Sequence, residues 1–137
     1  MSRPLGRSSG WLAASALAAM VIAVFFVLQN YGPESAVRRF HEALLRNDAA
    51  ELRAVTNPGS GDALQAVASV AYRAMQAADS NRIVRREDAG GKVLVEVAYL
   101  RGGRILAILP WVARRAPGGW LVDPLETYYA MSRYIAL

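Results

Sequence analysis

The stretch KVLVEVAYLRGGRILAILPWVARR, residues 92–115, decides the fold. Two sets of apolar residues alternate with other side chains on either side of its central glycine pair: Val93, Val95, Val97 and Tyr99, then Ile105, Ala107, Leu109 and Trp111. A period of two places such residues on one face of a strand. Gly102 and Gly103 leave only two residues between the strands, and glycine tolerates the positive φ angles of such a turn. The stretch predicts an antiparallel hairpin with one face toward a core.

Two further strands are predicted to flank this hairpin. Residues 82–87 precede it across Gly90 and Gly91, and residues 120–123 follow it across Gly118 and Gly119. Together with residues 92–101 and 104–114 they form an antiparallel meander of four strands. Pro110 has no N–H to donate, so it marks a bulge or a point where its strand has an unpaired side.

Three helices are predicted before the sheet, because apolar residues recur there at helical spacing. The first begins at Pro33, and the second follows the capping pair of Asp48 and Glu51. The third begins at Asp62 with Gln65. Helices followed by a meander give an α+β domain over residues 31–137.

The run WLAASALAAMVIAVFFVL, residues 11–28, contains no charge, proline or glycine. As a helix it measures roughly 27 Å, close to the hydrocarbon thickness of a bilayer. Trp11 and Tyr31 flank the run as membrane-interface anchors. We therefore predict a polar tail over residues 1–10 and a transmembrane helix over residues 11–30. A cleaved signal peptide is the alternative, but no small-x-small site follows the run.

Small residues recur one turn apart on this helix, at Ser15, Ala19 and Ala23. Such a stripe lets a second helix approach closely in lipid, although alanine is common throughout the chain. The short polar tail favours a cytoplasmic amino terminus and a periplasmic domain at a bacterial inner membrane. The arginines on the two sides of the run are nearly balanced and decide little.

The net charge is +5, and fifteen of the sixteen basic residues are arginine. With the many alanines, this bias indicates a GC-rich bacterial genome rather than phosphate binding, so we expect no nucleic-acid partner. The chain has no cysteine and one histidine, His41. Thiol catalysis, disulfides and metal sites built from these residues are excluded, and we expect neither a metal nor a cofactor.

The segments AVRRFHEALLRNDAAELRAV (36–55) and GGWLVDP (118–124) resemble the nuclear transport factor 2-like superfamily, which also contains ketosteroid isomerases and scytalone dehydratases. The order of helices followed by a meander is also similar. The resemblance implies a cone, in which a curled sheet wraps round the long helix, sometimes with a pocket at the open end. Enzymes of the family place Asp, His, Tyr or Arg inside this cone.

No catalytic constellation is evident, so we expect a protein that is not an enzyme. His41 is the best candidate for proton transfer, but it has no identifiable carboxylate partner. Glu96 is out of phase with its apolar neighbours and is expected to face away from the core, paired with Arg82 or Arg104. Asp123 is expected to cap a final helix.

That final segment, residues 125–137, is apolar on nearly every side. Residues expected to contact a partner are Tyr128, Tyr129, Met131, Tyr134 and Ile135. A tail packed over the mouth of the cone is the alternative. We predict a non-catalytic, membrane-anchored accessory subunit that stabilises or orients a larger bacterial membrane complex of respiratory, photosynthetic or secretion type. The alternative is a membrane-tethered small-molecule-binding domain, or an isomerase- or dehydratase-like enzyme, that uses a cone pocket near His41.

Overall fold

The computed structural model describes residues 5–59 and 61–135, and the side chains of residues 10–24, 32–59 and 61–134. The chain divides into two compact units, Met1–Asn30 and Tyr31–Leu137. The second unit contains the sheet and all the helices that pack on it.

Helix α1 (Leu5–Tyr31) contains the predicted apolar run. Over the residues that the structure describes, none of the helices combines the length and the apolar character needed to cross a membrane. The transmembrane helix predicted over residues 11–30 is therefore not supported. The side chains described on α1 end at Val24, so residues 25–28 of the run and the predicted anchor Tyr31 lie outside the described side chains.

The sheet is an antiparallel meander in the order β1-β2-β3-β4, as predicted. Its strands are β1 (Ser80–Ala89), β2 (Lys92–Arg101), β3 (Arg104–Ala116) and β4 (Gly119–Val122). The β2–β3 turn has φ of 57° at Gly102 and 78° at Gly103. Positive φ at both central residues is the requirement of a type I′ hairpin, which explains the glycine pair.

The paired residues Val95 and Trp111 face the core, and so do Val97 and Leu109. The prediction was wrong for Ile105, which is half exposed. A register shift between Tyr99 and Leu100 pairs Tyr99 with Ala107 and Leu100 with Ile105. This bulge moves Ile105 onto the face opposite Tyr99, because one extra residue reverses the alternation.

Strand β1 is an edge strand, and every one of its side chains is exposed. It carries a second register shift, between Ile83 and Arg85. Before the shift Ile83 lies opposite Val97, and after it Arg86 lies opposite Val95. No strand within the described residues pairs with the outer edge of β1.

Helices α2 (Pro33–Leu45), α3 (Ala49–Ala54) and α4 (Gly61–Ala77) precede the sheet. The core between α2, α4 and the sheet includes Val37, Phe40, Val67, Ala71 and Met75 from the helices and Val95, Val97 and Trp111 from the strands. Asp48 caps α3 as predicted, since its carboxylate accepts a hydrogen bond of 3.1 Å from the Glu51 N–H. Helix α4 begins at Gly61, so Asp62 lies in its first turn.

Strand β4 covers only the last residues of β3, from Ala113 to Ala116. Pro110 lies on the part of β3 beyond that cover, which confirms that it marks an unpaired side. Helix α5 (Pro124–Ile135) packs along this part, and the Val112 N–H donates to Thr127 Oγ1 at 2.9 Å. Helices on a four-stranded antiparallel sheet fit the α+β fold that the resemblance implied.

Candidate functional site

The buried polar centre of the second unit is a pair formed by His41 on α2 and Tyr99 on β2. His41 Nδ1 lies 2.7 Å from the Val37 carbonyl oxygen, and Nε2 lies 2.5 Å from the Tyr99 hydroxyl oxygen. A carbonyl only accepts, so the proton of the neutral ring is on Nδ1. The Tyr99 hydroxyl therefore donates to Nε2, and both ring nitrogens are engaged.

Burial keeps both members of the pair neutral. It lowers the pKa of His41, and the hydrogen bond to the Val37 carbonyl offsets only part of that effect. Burial raises the pKa of the Tyr99 hydroxyl, and the nearby Trp111 N–H offsets part of it. A general base needs a free lone pair, and the only one on this ring accepts from Tyr99. The pair therefore links α2 to β2 through a hydrogen bond. Neither ring nitrogen is free to accept a proton from a substrate.

Aromatic rings fill the space around the pair. The Trp111 ring centroid lies 4.7 Å from that of His41 and 5.0 Å from that of Phe40. Phe40, Tyr99 and Trp111 have no exposed surface, and Met75 is 8% exposed. These side chains occupy the interior in which the resemblance allowed a pocket, so the pair has no buried substrate chamber beside it.

An open cleft lies at the edge of this core, between α2 and strands β1 and β2. Its volume is about 440 Å³, and it is lined by Glu34, Val37, Arg38, His41, Asn81, Arg82, Ile83 and Val97. His41 contributes little surface to the cleft, since that residue is 5% exposed. The cleft offers polar groups around a recess of small-molecule size.

The two carboxylates considered as catalytic candidates have structural partners. Glu96 faces away from the core as expected, but its arginine partner is Arg85 at 3.4 Å and not Arg82 or Arg104. Asp123 accepts a hydrogen bond of 3.1 Å from the Glu126 N–H at the start of α5, which confirms the predicted cap. It also pairs with Arg114 at 3.0 Å, so neither carboxylate is free to act as a base.

The residues of α5 that were predicted to contact a partner differ in their exposure. Tyr128, Tyr129 and Tyr134 are 44%, 53% and 43% exposed. Met131 is 3% exposed and belongs to the core, so its assignment to a partner surface was wrong. It follows the buried Thr127 by one turn, and residues four apart share a face. The side chain of Ile135 lies outside the described side chains.

Two of these tyrosines line a shallow groove with α4. The groove has a volume of about 300 Å³ and is lined by Asp62, Ala63, Ala66, Leu125, Tyr128 and Tyr129. Sequence reasoning missed that α4 forms one side of this groove. The apolar spacing of α4 predicted which of its residues are buried, but it gave no sign that Ala63 and Ala66 lie against the tyrosines of α5. We call this surface the α4–α5 groove.

The small residues of α1 that were predicted to pack against another helix are exposed to solvent in the structure. Ser15, Ala19 and Ala23 are exposed, and the predicted anchor Trp11 is 78% exposed. Their roles in lipid remain predictions. Elsewhere in the described chain, no three His, Asp or Glu side chains are grouped so that they could hold a metal ion.

Sequence reasoning also missed the partner of His41, because it looked for a carboxylate. The phenol that binds Nε2 is 58 residues away in the chain. One signal was available: Tyr99 falls on the core face of its strand, and a buried tyrosine hydroxyl needs a hydrogen-bond partner. On α2, His41 follows the core residue Phe40, and its ring nitrogen can accept the hydrogen bond that the tyrosine hydroxyl donates.

No protein-family model matches this chain, and no curated protein matches it either. A solved structure, that of a protein named Rd1NTF2_05 with five substitutions, is similar over 62% of this chain and 86% of its own. The two are 20% identical, with a TM-score of 0.43. A similarity at that level carries no conclusion about activity, and the fold described above stands on its own elements.

Proposed function

We propose that this protein is a non-catalytic accessory subunit, anchored in a membrane by α1, that stabilises or orients a larger membrane protein assembly. The observation that supports the anchor is exposure. Every described side chain from residue 10 to 24 is exposed, and the large apolar ones are Trp11, Leu12, Leu17, Met20, Val21, Ile22 and Val24. They lie on all sides of the helix, and a helix that is apolar all round needs surroundings other than water. In the sequence the run continues to Leu28.

The α4–α5 groove supports a protein partner. Its aromatic side chains are among those that interfaces favour, and Tyr128 and Tyr129 form an edge-to-face pair with centroids 6.0 Å apart. Leu125 beside them is 48% exposed. An exposed apolar surface framed by polar residues is typical of a contact site between proteins.

The state of the titratable groups supports a role without chemistry. His41 is neutral with both nitrogens engaged, and Glu96 and Asp123 are held in ion pairs. The Ser80 hydroxyl donates to Asp79 Oδ1 at 3.3 Å, but that carboxylate also accepts a hydrogen bond from the Gly102 N–H and so has a structural partner as well. What remains is a tether and a contact surface.

The anchor is tested by fractionation of cells that express the full chain, with an alkaline carbonate wash of the membranes. The wild-type chain is expected to stay in the washed membranes. The double variant Leu17→Arg/Val21→Arg is expected to leave them, because an arginine at the centre of a membrane helix costs about 3 kcal/mol. The matched control is the double variant Arg73→Lys/Gln76→Arg. It changes only exposed residues of α4 and is expected to stay in the washed membranes. Release of the wild-type chain would end the proposal of an anchor.

The partner is tested by extraction in mild detergent followed by native gels. We expect the wild-type chain to migrate with larger proteins and Tyr128→Ala/Tyr129→Ala to migrate alone. Tyr72→Ala, which changes an exposed tyrosine of α4 outside the groove, is the control. A wild-type chain that is monomeric at every expression level would contradict the proposal.

A second candidate is a tethered domain that binds a small molecule. The cleft beside His41 favours it, since a recess of about 440 Å³ falls in the range of ligand sites. The enzymatic form of this candidate has little support, because no acid–base pair in the cleft is free.

A further inference from the structure

One acidic side chain at the α4–α5 groove has no partner within the described residues. Asp62 lies in the first turn of α4, is exposed, and makes no ion pair or side-chain hydrogen bond with them. Other acids, such as Glu34, Glu51 and Glu96, are each paired with an arginine. Glu42 on α2 is exposed and also lacks such a partner among the described residues, but it does not line the groove. The groove therefore presents a carboxylate that is available to a cation from outside.

Helical spacing places this carboxylate on the groove side of α4. Asp62 and Ala66 are one turn apart on α4, and both line the groove. On α5, Leu125 is followed three and four residues later by Tyr128 and Tyr129. Residues at such spacings share one face of a helix. Each helix therefore turns one continuous face to the groove, and the carboxylate belongs to that face of α4.

The two tyrosines offer aromatic rings in the same groove. Tyr128 and Tyr129 are about half exposed, and their ring planes stand at 64° to each other. Neither hydroxyl makes a hydrogen bond with a residue that the structure describes. The face of a tyrosine ring attracts a cation, most often the guanidinium group of an arginine. The groove thus combines two features that favour positive charge.

An arginine side chain matches both features at once. Its planar guanidinium stacks on aromatic rings and pairs with a carboxylate through two parallel hydrogen bonds, whereas the lysine ammonium is a compact, strongly hydrated charge. Its aliphatic stem can lie along apolar surface while the charged end stays in water. Ala63 and Ala66 provide such a surface, and the volume of about 300 Å³ suits one or two side chains.

We propose that the α4–α5 groove receives an arginine side chain of the partner protein. Its guanidinium lies against Asp62 and the tyrosine rings, and an apolar residue beside the arginine packs on Leu125. Arginine and aromatic residues are both enriched where proteins meet, which agrees with this pairing. The inference rests on the proposed role of the groove as a contact for a partner protein, and it names the group that the groove recognises.

Short peptides test the groove without the partner, followed by nuclear magnetic resonance of the full chain in dodecyl maltoside, a detergent without charge. The probe is the acetylated and amidated tripeptide Leu-Arg-Leu. The matched control carries citrulline, a neutral residue of nearly the same shape, in place of arginine. The arginine peptide is expected to shift the backbone amide signals of Ala66 and Leu125 in a saturable manner, with a dissociation constant of about a millimolar. The citrulline peptide is expected to bind about fivefold more weakly, because it loses the cation–π contact and the ion pair.

Charge variants separate the carboxylate from the rest of the groove. Asp62→Asn is expected to weaken binding of the arginine peptide about threefold, the effect of one exposed ion pair, and to change binding of the citrulline peptide much less. Asp62→Glu keeps the charge and is expected to recover most of the affinity. Glu42→Gln removes an exposed acid outside the groove and is expected to bind like the wild type. Tyr128→Ala/Tyr129→Ala is expected to weaken binding of both peptides, since the rings are lost.

The proposal is overturned if the arginine peptide gives no saturable shift, if the citrulline peptide binds as tightly, or if Asp62→Asn and Glu42→Gln weaken binding equally. Shifts of the same signals when the protein alone is concentrated would identify a second copy as the occupant and would also overturn it. The native gels report whether the chain has a partner, whereas the peptides report which group the groove recognises. A chain that migrates with larger proteins but does not bind the arginine peptide would keep the proposed function and lose only this inference.

Discussion

The Tyr134 hydroxyl donates a hydrogen bond of 2.6 Å to Glu96 Oε1, which joins the last turn of α5 to the centre of β2. The same carboxylate is paired with Arg85 on β1. Helix α5 and strands β1 and β2 therefore meet at Glu96, on the face of the sheet opposite α2 and α4. This contact places the C-terminal helix beside the sheet although no strand continues along β3 there.

Tyr134→Phe removes this contact and should lower the free energy of unfolding by about 0.5 kcal/mol, a small value because the tyrosine is partly exposed. The hydrogen bond to Glu96 raises the pKa of Tyr134, so the protonated phenol is favoured in the folded state. The stabilisation is complete below about pH 10, the ordinary pKa, and is lost as the pH rises through the raised pKa. Urea titrations at pH 8 and pH 11 measure both effects. Tyr129→Phe is the control, and an equal effect there would contradict the assignment.

His41 should make the domain sensitive to mild acid. Its folded pKa is below 6.5, so the unfolded chain takes up a proton first and stability falls as the pH drops below that value. We expect the midpoint of thermal unfolding to fall between pH 7 and pH 5 in a chain without a histidine tag. In His41→Gln the part of this fall that belongs to the histidine should disappear. Since the chain has one histidine, no other imidazole contributes. Parallel curves for the two proteins would show that the ring is not buried.

Thr127 should be needed for its hydroxyl. Its side chain has no exposed surface, and it accepts from the Val112 N–H on the uncovered part of β3. Thr127→Val keeps the shape and leaves that N–H without a partner, which costs about 1–3 kcal/mol. Thr127→Ser keeps the acceptor and should lose less, mainly through the missing methyl group. Chemical denaturation of both variants measures the difference, and a valine variant as stable as the wild type would refute it.

Met131 and its tyrosine neighbours should separate stability from partner binding. Met131→Ala leaves a cavity in the core and should cost about 2–5 kcal/mol of unfolding free energy. Tyr128→Ala and Tyr129→Ala change exposed side chains and should each stay within about 0.5 kcal/mol of the wild type. Denaturation of the three variants in the same detergent makes the comparison. A stable Met131→Ala protein would return that residue to the partner surface.

Local patterns predicted the sheet because each strand carries its own signal. The period of two in β2, the glycine pair before β3 and the missing N–H of Pro110 are properties of neighbouring residues. They specify the meander without knowledge of what packs on it. The cap at Asp123 is local in the same sense.

The errors come from features that depend on distant residues. A bulge of one residue turns Ile105 to the other face of the sheet, although apolar residues still alternate along the sequence there. Met131 has the same apolar character as the tyrosines around it, and only the position of α5 beside β3 decides which of them is buried. The partner of His41 and the walls of the cleft come from segments about forty to sixty residues apart, which no spacing rule connects.

The outer edge of β1 has a bearing on how the protein behaves at high concentration. An open edge is a template on which a neighbouring molecule can add a strand, and repeated addition leads to aggregates. Here the register shift beside Val84 interrupts the row of backbone groups, and the strand carries the charged residues Arg82, Arg85, Arg86, Glu87 and Asp88. A neighbour that paired there would have to follow the kink and accommodate those charges, so the edge discourages its own extension.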